Sequence, residues 1–117
     1  EWPGVVRSKG FFWLASHPTL AGTWSQAGAV ARHGPAGYWW AAVPPERWPD
    51  DPESVALIRA KWDDSVGDAR QEIVLIGVDM DEFELRRCLD ACLLTDDEMA
   101  QGPDVWTTWH NPFPDWP

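Results

Sequence analysis

Residues 71–95 carry a strand pattern that runs directly into a helix pattern, and this pairing constrains the fold more than any other stretch. Ile73–Val78 is short, apolar and rich in β-branched residues, which indicates a central strand. After a short hinge, Asp81 is predicted to cap a helix, with Glu84 completing a capping box. The helix has an apolar stripe at the spacing i, i+3, i+4, i+7 and i+8, formed by Leu85, Cys88, Leu89, Cys92 and Leu93. Such a stripe requires a sheet face to cover.

Three further strands are predicted in the first 43 residues. Val5–Ala15 is rich in β-branched and aromatic residues, and Gly10 within it indicates a bulge or a close approach of two backbones. Thr23–Arg32 alternates small residues with larger ones, and Tyr38–Val43 is an aromatic run that two prolines end. Turns are predicted between these strands at His17–Gly22 and His33–Gly37. This order predicts an antiparallel meander.

Two more helices are predicted from their start signals. Asp51 followed by Pro52 places a capping side chain before a proline that suits the first helical turn. The apolar stripe of that helix is Val55, Ile58 and Trp62. Thr95–Glu98 reads as a second capping box, at the start of a short helix that ends at Gly102–Pro103.

The C-terminal stretch Asp104–Pro117 is rich in Trp and Pro. We expect it to pack over the sheet as an irregular strap, because several large aromatic side chains left in water would favour association. The predicted fold class is therefore α+β, in one domain spanning residues 1–117. It is a two-layer sandwich with a mostly antiparallel sheet of about four strands, two main helices on one face and the Trp/Pro-rich strap.

The charge balance excludes several classes of partner. The chain has 19 Asp and Glu against 9 Lys and Arg, which gives a formal net charge of −10. Nucleic acids and anionic lipids are polyanions, so neither is an expected partner. No apolar run approaches the ~20 residues of a membrane-spanning helix. Its two cysteines lie four residues apart on one predicted helix, which suits reduced thiols in a cytoplasmic protein better than a disulfide.

Catalytic and metal-binding patterns are sparse. The chain has no glycine-rich phosphate loop. Cys88 and Cys92 could share a metal ion, with His17 as a further weak candidate, but zinc requires a third or fourth ligand that the local sequence does not supply. Both cysteines also lie on the apolar stripe, where a thiol behaves as a small hydrophobic group. The sequence therefore predicts no catalytic, cofactor-binding or metal residue.

The candidates for protein contact are cations and tryptophans. Arg7 and Lys9 are two residues apart on the first strand and share a face, where we expect them to pair with carboxylates. Ten tryptophans are more than a core of this size requires, and Trp is enriched at interfaces. The contact candidates are Arg7, Lys9, Trp13, Trp106, Trp109 and Trp116. The same side chains could equally belong to the core and the strap.

Four motifs follow one another along the chain at residues 6–15, 67–77, 89–98 and 111–116. Together they resemble the C-terminal domain of the CobW family of GTP-dependent metallochaperones. In that family Ala69 would more usually be arginine, and Asn111 an acidic residue. The resemblance covers nearly the whole chain.

This resemblance implies a two-layer α+β domain that follows a P-loop GTPase domain, in proteins linked to zinc homeostasis or cobalamin biosynthesis. The GTPase domain of such a protein holds GTP, Mg²⁺ and the Zn or Co cargo, and none of its site residues has a matching position here. The expected partners are that GTPase domain and a client metalloprotein. The family's domain usually begins one strand and one helix earlier than Glu1, which implies an exposed sheet edge or groove and possible homo-oligomers through it.

Two other functions stay open at this point. The chain could be a stand-alone interaction module that uses its Trp/Pro-rich tail as a ligand. It could also be a small metal-binding domain that uses Cys88 and Cys92.

Overall fold

A computed structural model describes residues 2–111, 113 and 116 and confirms the α+β class. Four antiparallel strands form one sheet in the order β3-β2-β1-β4. The strands are β1 (Val5–Leu14), β2 (His17–Ala27), β3 (Val30–Tyr38) and β4 (Glu72–Gly77). The helices are α1 (Pro52–Ala60), α2 (Glu82–Asp90), α3 (Asp96–Gln101) and α4 (Pro103–Trp106), and two 3₁₀ turns lie at Trp40–Ala42 and Pro45–Arg47.

The first hairpin turns earlier than the sequence predicts. Leu14 of β1 pairs with His17 of β2, so only two residues connect the strands, and the predicted turn at His17–Gly22 is wrong. Pro18 is accommodated at the start of β2, a position where a strand tolerates proline. Its carbonyl oxygen accepts a hydrogen bond of 3.1 Å from Trp13 Nε1, which stabilises the hairpin.

The second hairpin also turns at a different place. Ala27 of β2 pairs with Val30 of β3 across a two-residue turn, in which Gly28 has φ +58°. Glycine adopts that left-handed conformation without steric cost. The predicted strand Thr23–Arg32 therefore spans parts of two real strands.

The predicted break at His33–Gly37 is wrong, because these residues lie inside β3. Among the described residues β3 pairs only with β2, and an edge strand tolerates a proline that cannot donate to a neighbour. The register shifts opposite Ala21 and Gly22, where the run of glycine and proline forms a bulge. The predicted third strand Tyr38–Val43 is wrong as well, since β3 ends at Tyr38 and a 3₁₀ turn follows.

Strand β4 lies at the edge of the sheet and not at its centre. Within the described residues it pairs only with β1, and its exposure alternates along Glu72–Gly77. Val74 and Ile76 are 56% and 58% exposed, whereas Ile73 and Leu75 face α2. Alternation of this kind is normal when only one face of a sheet is covered.

Gly10 makes the predicted close approach of two backbones. A Cβ atom at this position would collide with the carbonyl oxygen of Glu72 on β4. Only glycine lets β1 and β4 approach at this point.

The helix caps follow the sequence more closely than the turns do. Asp51 accepts a 2.9 Å hydrogen bond from the Ser54 amide at the start of α1. Thr95 and Glu98 form the complete predicted capping box of α3. Asp81 caps α2, but the Glu84 side chain does not close a second box.

Helix α2 is shorter than predicted. It ends at Asp90, so Cys92 and Leu93 lie beyond it, and Leu93 is 49% exposed. Leu85 is the buried anchor of the helix and lines a cleft with Leu75 of the sheet. The predicted helix was too long because the helical spacing of apolar residues continues past Asp90, where the helical backbone ends.

A cluster of aromatic side chains joins α1 to the connection that follows β3. The rings of Trp48 and Trp62 are 5.5 Å apart, and Trp40 lies 6.3 Å from Trp48. The Arg59 guanidinium lies over both Trp48 and Trp62, at 4.9 and 5.4 Å from the ring centres. The Asp68 carboxylate accepts hydrogen bonds of 2.9 Å from the amides of residues 40 and 41, which fixes the start of this connection.

The molecule exposes more surface than its size requires. Its accessible area is 8512 Å², whereas a monomeric protein of this mass exposes roughly 6,400 Å². No described helix is long and apolar enough to span a membrane. The excess area follows from a sheet whose two faces are covered unequally.

Candidate interaction site

The C-terminal segment covers one face of the sheet, which we call the strap face. Phe12 of β1 packs against Phe113 and Trp116, with ring centres 5.6 and 5.7 Å away. Phe113 and Trp116 stack on each other at 5.3 Å, and His33 lies 4.2 Å from Phe113. The predicted strap is therefore visible at these two rings, whereas Pro112, Pro114, Asp115 and Pro117 lie outside the described residues, as does Glu1.

Asn111 organises the start of the strap. Its Oδ1 accepts a 2.9 Å hydrogen bond from the Phe113 amide, and its Nδ2 donates to the Phe113 carbonyl oxygen at 2.6 Å. The side chain thereby imitates a turn and directs the Phe113 ring toward the sheet.

Trp13 and Trp106 form a second contact between the sheet and the C-terminal part. Their rings meet edge to face at 5.2 Å, and Trp106 is only 8% exposed. The indole nitrogen of Trp106 donates a 2.7 Å hydrogen bond to the Glu98 carbonyl oxygen. The Gln71 side chain forms two hydrogen bonds with the backbone of Trp13, at 3.0 and 3.1 Å, and extends the pairing at the end of β1.

The four tryptophans that the sequence proposed as contact residues therefore differ in exposure. Trp106 and Trp116 are buried, and Trp13 and Trp109 are half-buried. The burial of Trp106 and Trp116 agrees with the second possibility in the sequence analysis, that these side chains belong to the core and the strap. A role of these rings in partner binding stays a prediction.

A groove remains on the strap face beside the strap. It has a volume of about 390 Å³ and lies between the start of β1 and the second hairpin. Its walls are mostly apolar and its lining consists of Trp2, Val5, Ser8, Trp24, Gln26, Gly28, Ala29 and Ala31.

A polar network forms the floor of this groove. Ser8, which is 5% exposed, donates to Gln26 Oε1 at 2.8 Å and accepts from Trp24 Nε1 at 2.8 Å. Gln26 Nε2 then donates to the Gly28 carbonyl oxygen at 2.7 Å. Because the polar groups of these three side chains form hydrogen bonds within the protein, the floor is rigid. The apolar walls above it are available to a neighbour. Sequence reasoning missed Ser8 and Gln26, although Ser8 lies four residues before Phe12 on β1 and therefore faces the same side of the sheet.

The opposite face of the sheet is exposed over the rows that contain Arg7, Lys9 and Phe11, and we call this part the open face. In register, Lys9 lies beside Ser25 and Val74, and Ser25 lies beside Arg32. The exposed side chains that define this face are Arg7, Lys9 and Phe11 of β1, Ser25 and Ala27 of β2, Val30 and Arg32 of β3, and Glu72, Val74 and Ile76 of β4.

The expected pairing of Arg7 and Lys9 with carboxylates is not found among residues 2–111, 113 and 116. The ion pairs in that part of the chain involve Lys61, Arg70, Arg86 and Arg87. The strand alternation places Arg7 and Lys9 on the open face as predicted. A carboxylate on the same face, Glu72 opposite Phe11, pairs with Lys61 and Arg70 instead. Most carboxylates are at helix starts, where they cap amides and offset the helix dipole.

The shifted pKa values have capping or ion-pair causes. Hydrogen bonds from Ser54 lower the pKa of Asp51, and hydrogen bonds from Ser65 lower the pKa of Asp63. The ion pair between Glu84 and Arg87 lowers the pKa of the carboxyl group and raises the pKa of the guanidinium. The three carboxyl groups lie at a helix start or a turn, and Arg87 lies in the last turn of α2, which favours a structural role over a catalytic one.

The two thiols do not form a metal site with the described residues. The Cys92 thiol donates to the Cys88 carbonyl oxygen at 3.4 Å, and both cysteines are free. His17 instead packs edge to face on Trp116 at 5.9 Å. Within the described ranges, no three or more His, Cys, Asp or Glu side chains are grouped to hold a metal ion.

Comparison with known proteins gives a consistent result. A sequence model of the family described as "Cobalamin synthesis protein cobW C-terminal domain" matches residues 1–93. Zinc-regulated GTPase metalloprotein activator 1 of Dictyostelium discoideum is 42% identical over 111 residues, which is 94% of this chain and 23% of that protein. A zinc chaperone of Mycobacterium tuberculosis is 33% identical over 114 residues, which is 97% of this chain and 28% of the relative. The chain thus spans about a quarter of the length of these curated relatives, and no solved structure gives a significant match.

Proposed function

This chain belongs to the CobW C-terminal domain family, and on that premise we propose that it is the non-catalytic C-terminal domain of a longer GTP-dependent metallochaperone. In that protein a P-loop GTPase domain would bind GTP and Mg²⁺ and would carry the metal cargo. The domain described here would pack on the GTPase domain and contact the client metalloprotein.

The observation that supports this proposal is a sheet with several surfaces available for contact. The described residues offer a rigid apolar groove, an unpaired edge at β4 and an uncovered face. The accessible area exceeds that of a typical protein of this mass by roughly 2,000 Å², and a standard interface buries about 800 Å² per partner. The excess is therefore large enough for more than one contact.

We further propose that the groove and the edge of β4 receive a strand and a helix that precede Glu1 in the longer protein. An exposed strand edge is a template for pairing, and the edge of β4 carries no partner among the described residues. The small residues Gly28, Ala29 and Ala31 along the groove would let a helix approach closely. If those elements were absent, the same edge would be available for self-association.

The cargo is zinc rather than cobalt in this proposal, because the names of both relatives refer to zinc. Cys88, Cys92 and His17 are not placed to hold an ion together, so metal is assigned to the rest of the longer protein. The two free thiols suit the reducing environment of the cytoplasm.

Isothermal titration calorimetry of the chain with GTP and Mg²⁺, and separately with Zn²⁺, tests this assignment. We expect no heat of GTP binding, and the same weak Zn²⁺ response before and after Cys88→Ser and Cys92→Ser. GTP binding by the chain would refute the non-catalytic role. Stoichiometric Zn²⁺ uptake that the two substitutions abolish would instead favour an independent metal-binding domain.

A further inference from the structure

We propose that the open face of the sheet is a docking surface for a short acidic amphipathic helix of a partner protein. The carboxylates of that helix would meet Arg7, Lys9 and Arg32, and its apolar residues would cover Val74 and Ile76. This inference does not depend on the presence of a GTPase domain.

The three cations form a compact triangle. Arg7 and Lys9 are two residues apart on β1, which places them roughly 7 Å apart. Lys9 and Arg32 occupy one cross-strand row with Ser25 between them, so they are about 10 Å apart. Carboxylates on successive turns of a helix are about 5–6 Å apart, so two or three can reach this triangle.

The positive charge of the open face is unusual for this chain. The net charge is −10, yet no carboxylate among the described residues forms an ion pair with Arg7, Lys9 or Arg32. By contrast, Arg86 and Arg87 pair with glutamates of α2, and Glu72, which lies opposite Phe11 on the open face, pairs with Lys61 and Arg70. The three cations without a carboxylate partner among the described residues outnumber Glu72 on this face, which makes it complementary to an acidic segment.

The rest of the open face is apolar where a solvent-facing sheet is usually polar. Val30, Val74 and Ile76 are 62%, 56% and 58% exposed, and Phe11 is 42% exposed. A sheet face of this kind is normally covered by an amphipathic helix. A partner strand would pair instead at the edge of β4, so the face itself is assigned to a helix.

A protein segment fits better than a membrane or a nucleic acid. The Debye length at physiological ionic strength is about 8 Å, so a short segment experiences mainly the local cations. An extended polyanion would also meet the acidic remainder of the surface, which repels it. The apolar residues likewise have no counterpart on a phosphate backbone.

Fluorescence anisotropy of a labelled helical peptide of about 18 residues, with Glu on one face and Leu on the other, tests the proposal with the full chain. We expect saturable binding that weakens when the salt concentration rises from about 50 to 300 mM. The same peptide with Lys in place of Glu should not bind. Equal binding of both peptides would overturn the proposal.

Charge reversal on the open face provides the site-specific test. Lys9→Glu combined with Arg32→Glu should weaken binding of the acidic peptide about tenfold or more and should create binding of the Lys peptide. Arg86→Glu, an exposed cation on α2, is the matched control and should change the affinity less than about twofold. If circular dichroism shows that the double variant is unfolded, Lys9→Gln and Arg32→Gln singly should each still weaken binding.

Three results would contradict the inference. The first is an unchanged affinity of folded variants for the acidic peptide. The second is binding of phosphatidylserine vesicles or duplex DNA, in place of the peptide, that the reversal abolishes. The third is a dimer in analytical ultracentrifugation that the reversal dissociates, because a second copy would then be the occupant.

Discussion

Trp106 should be one of the principal anchors between the sheet and the C-terminal helices. Trp106→Phe keeps an aromatic ring against Trp13 but removes the indole donor that binds the Glu98 carbonyl oxygen at 2.7 Å. A lost hydrogen bond costs about 0.5–1.5 kcal/mol, and the smaller ring leaves unfilled space in a site that is 8% exposed. We expect the free energy of unfolding to fall by about 1–3 kcal/mol.

Trp106→Ala should cost more, because truncation of a buried Trp typically removes about 3–5 kcal/mol. Urea unfolding followed by circular dichroism at constant m-value measures both changes. Trp109→Phe is the matched control, since Trp109 is half-buried, and it should cost less than about 0.5 kcal/mol. Equal costs for Trp106→Phe and Trp109→Phe would refute the assignment of Trp106 as an anchor.

The remaining predictions concern the caps and the sheet. Thr95→Ala should lower the free energy of unfolding by about 0.5–2 kcal/mol, measured by the same urea assay, because it removes the capping box of α3. The pKa of the N-cap Asp51 lies below its ordinary value of 3.8. The stabilisation of the folded protein by this carboxylate should therefore be complete above pH 3.8 and disappear as the pH falls through the lowered pKa. An unfolding midpoint that does not decrease between about pH 5 and strongly acidic pH would contradict this. Gly10→Ala should lower the free energy of unfolding by about 1–3 kcal/mol, because the added methyl group meets the Glu72 carbonyl oxygen. Gly34→Ala is the control, since no atom lies within 4 Å of a Cβ at that position, and it should leave the thermal unfolding midpoint nearly unchanged.

Local signals in the sequence predicted the helix starts and the first strand well. Asp51, Asp81 and Thr95 cap helices in the structure because a capping hydrogen bond depends only on residues within one turn. Gly10 was predicted to mark a bulge or a close backbone approach, because glycine inside a strand serves these purposes, and the structure shows the close approach.

The positions of the hairpins depended on information that a single strand does not contain. Glycine and proline in His33–Gly37 indicated a turn, but at the edge of a sheet they form a bulge, and only pairing with β2 shows this. Ile73–Val78 was predicted as a central strand from its apolar residues, whereas the structure exposes Val74 and Ile76 at an edge. A short apolar run does not distinguish a strand buried on both faces from one whose second face awaits a partner.

The candidate contact residues illustrate the same limit. The alternation of β1 predicted that Arg7 and Lys9 share a face, but which residues lie beside them depends on the register of all four strands. Similarly, the sequence left Trp116 as either a contact residue or part of the strap, and the structure packs its ring against Phe12.

Hydrogen–deuterium exchange of the longer protein, compared with the chain alone, tests the claim that neighbouring elements complete this domain as a contact scaffold. We predict slower exchange in the longer protein at the amides of β4 and around the groove at Gly28, Ala29 and Ala31, with little change in the hairpin interior of β1 and β2. Identical exchange at β4 and the groove in the two proteins would contradict the claim.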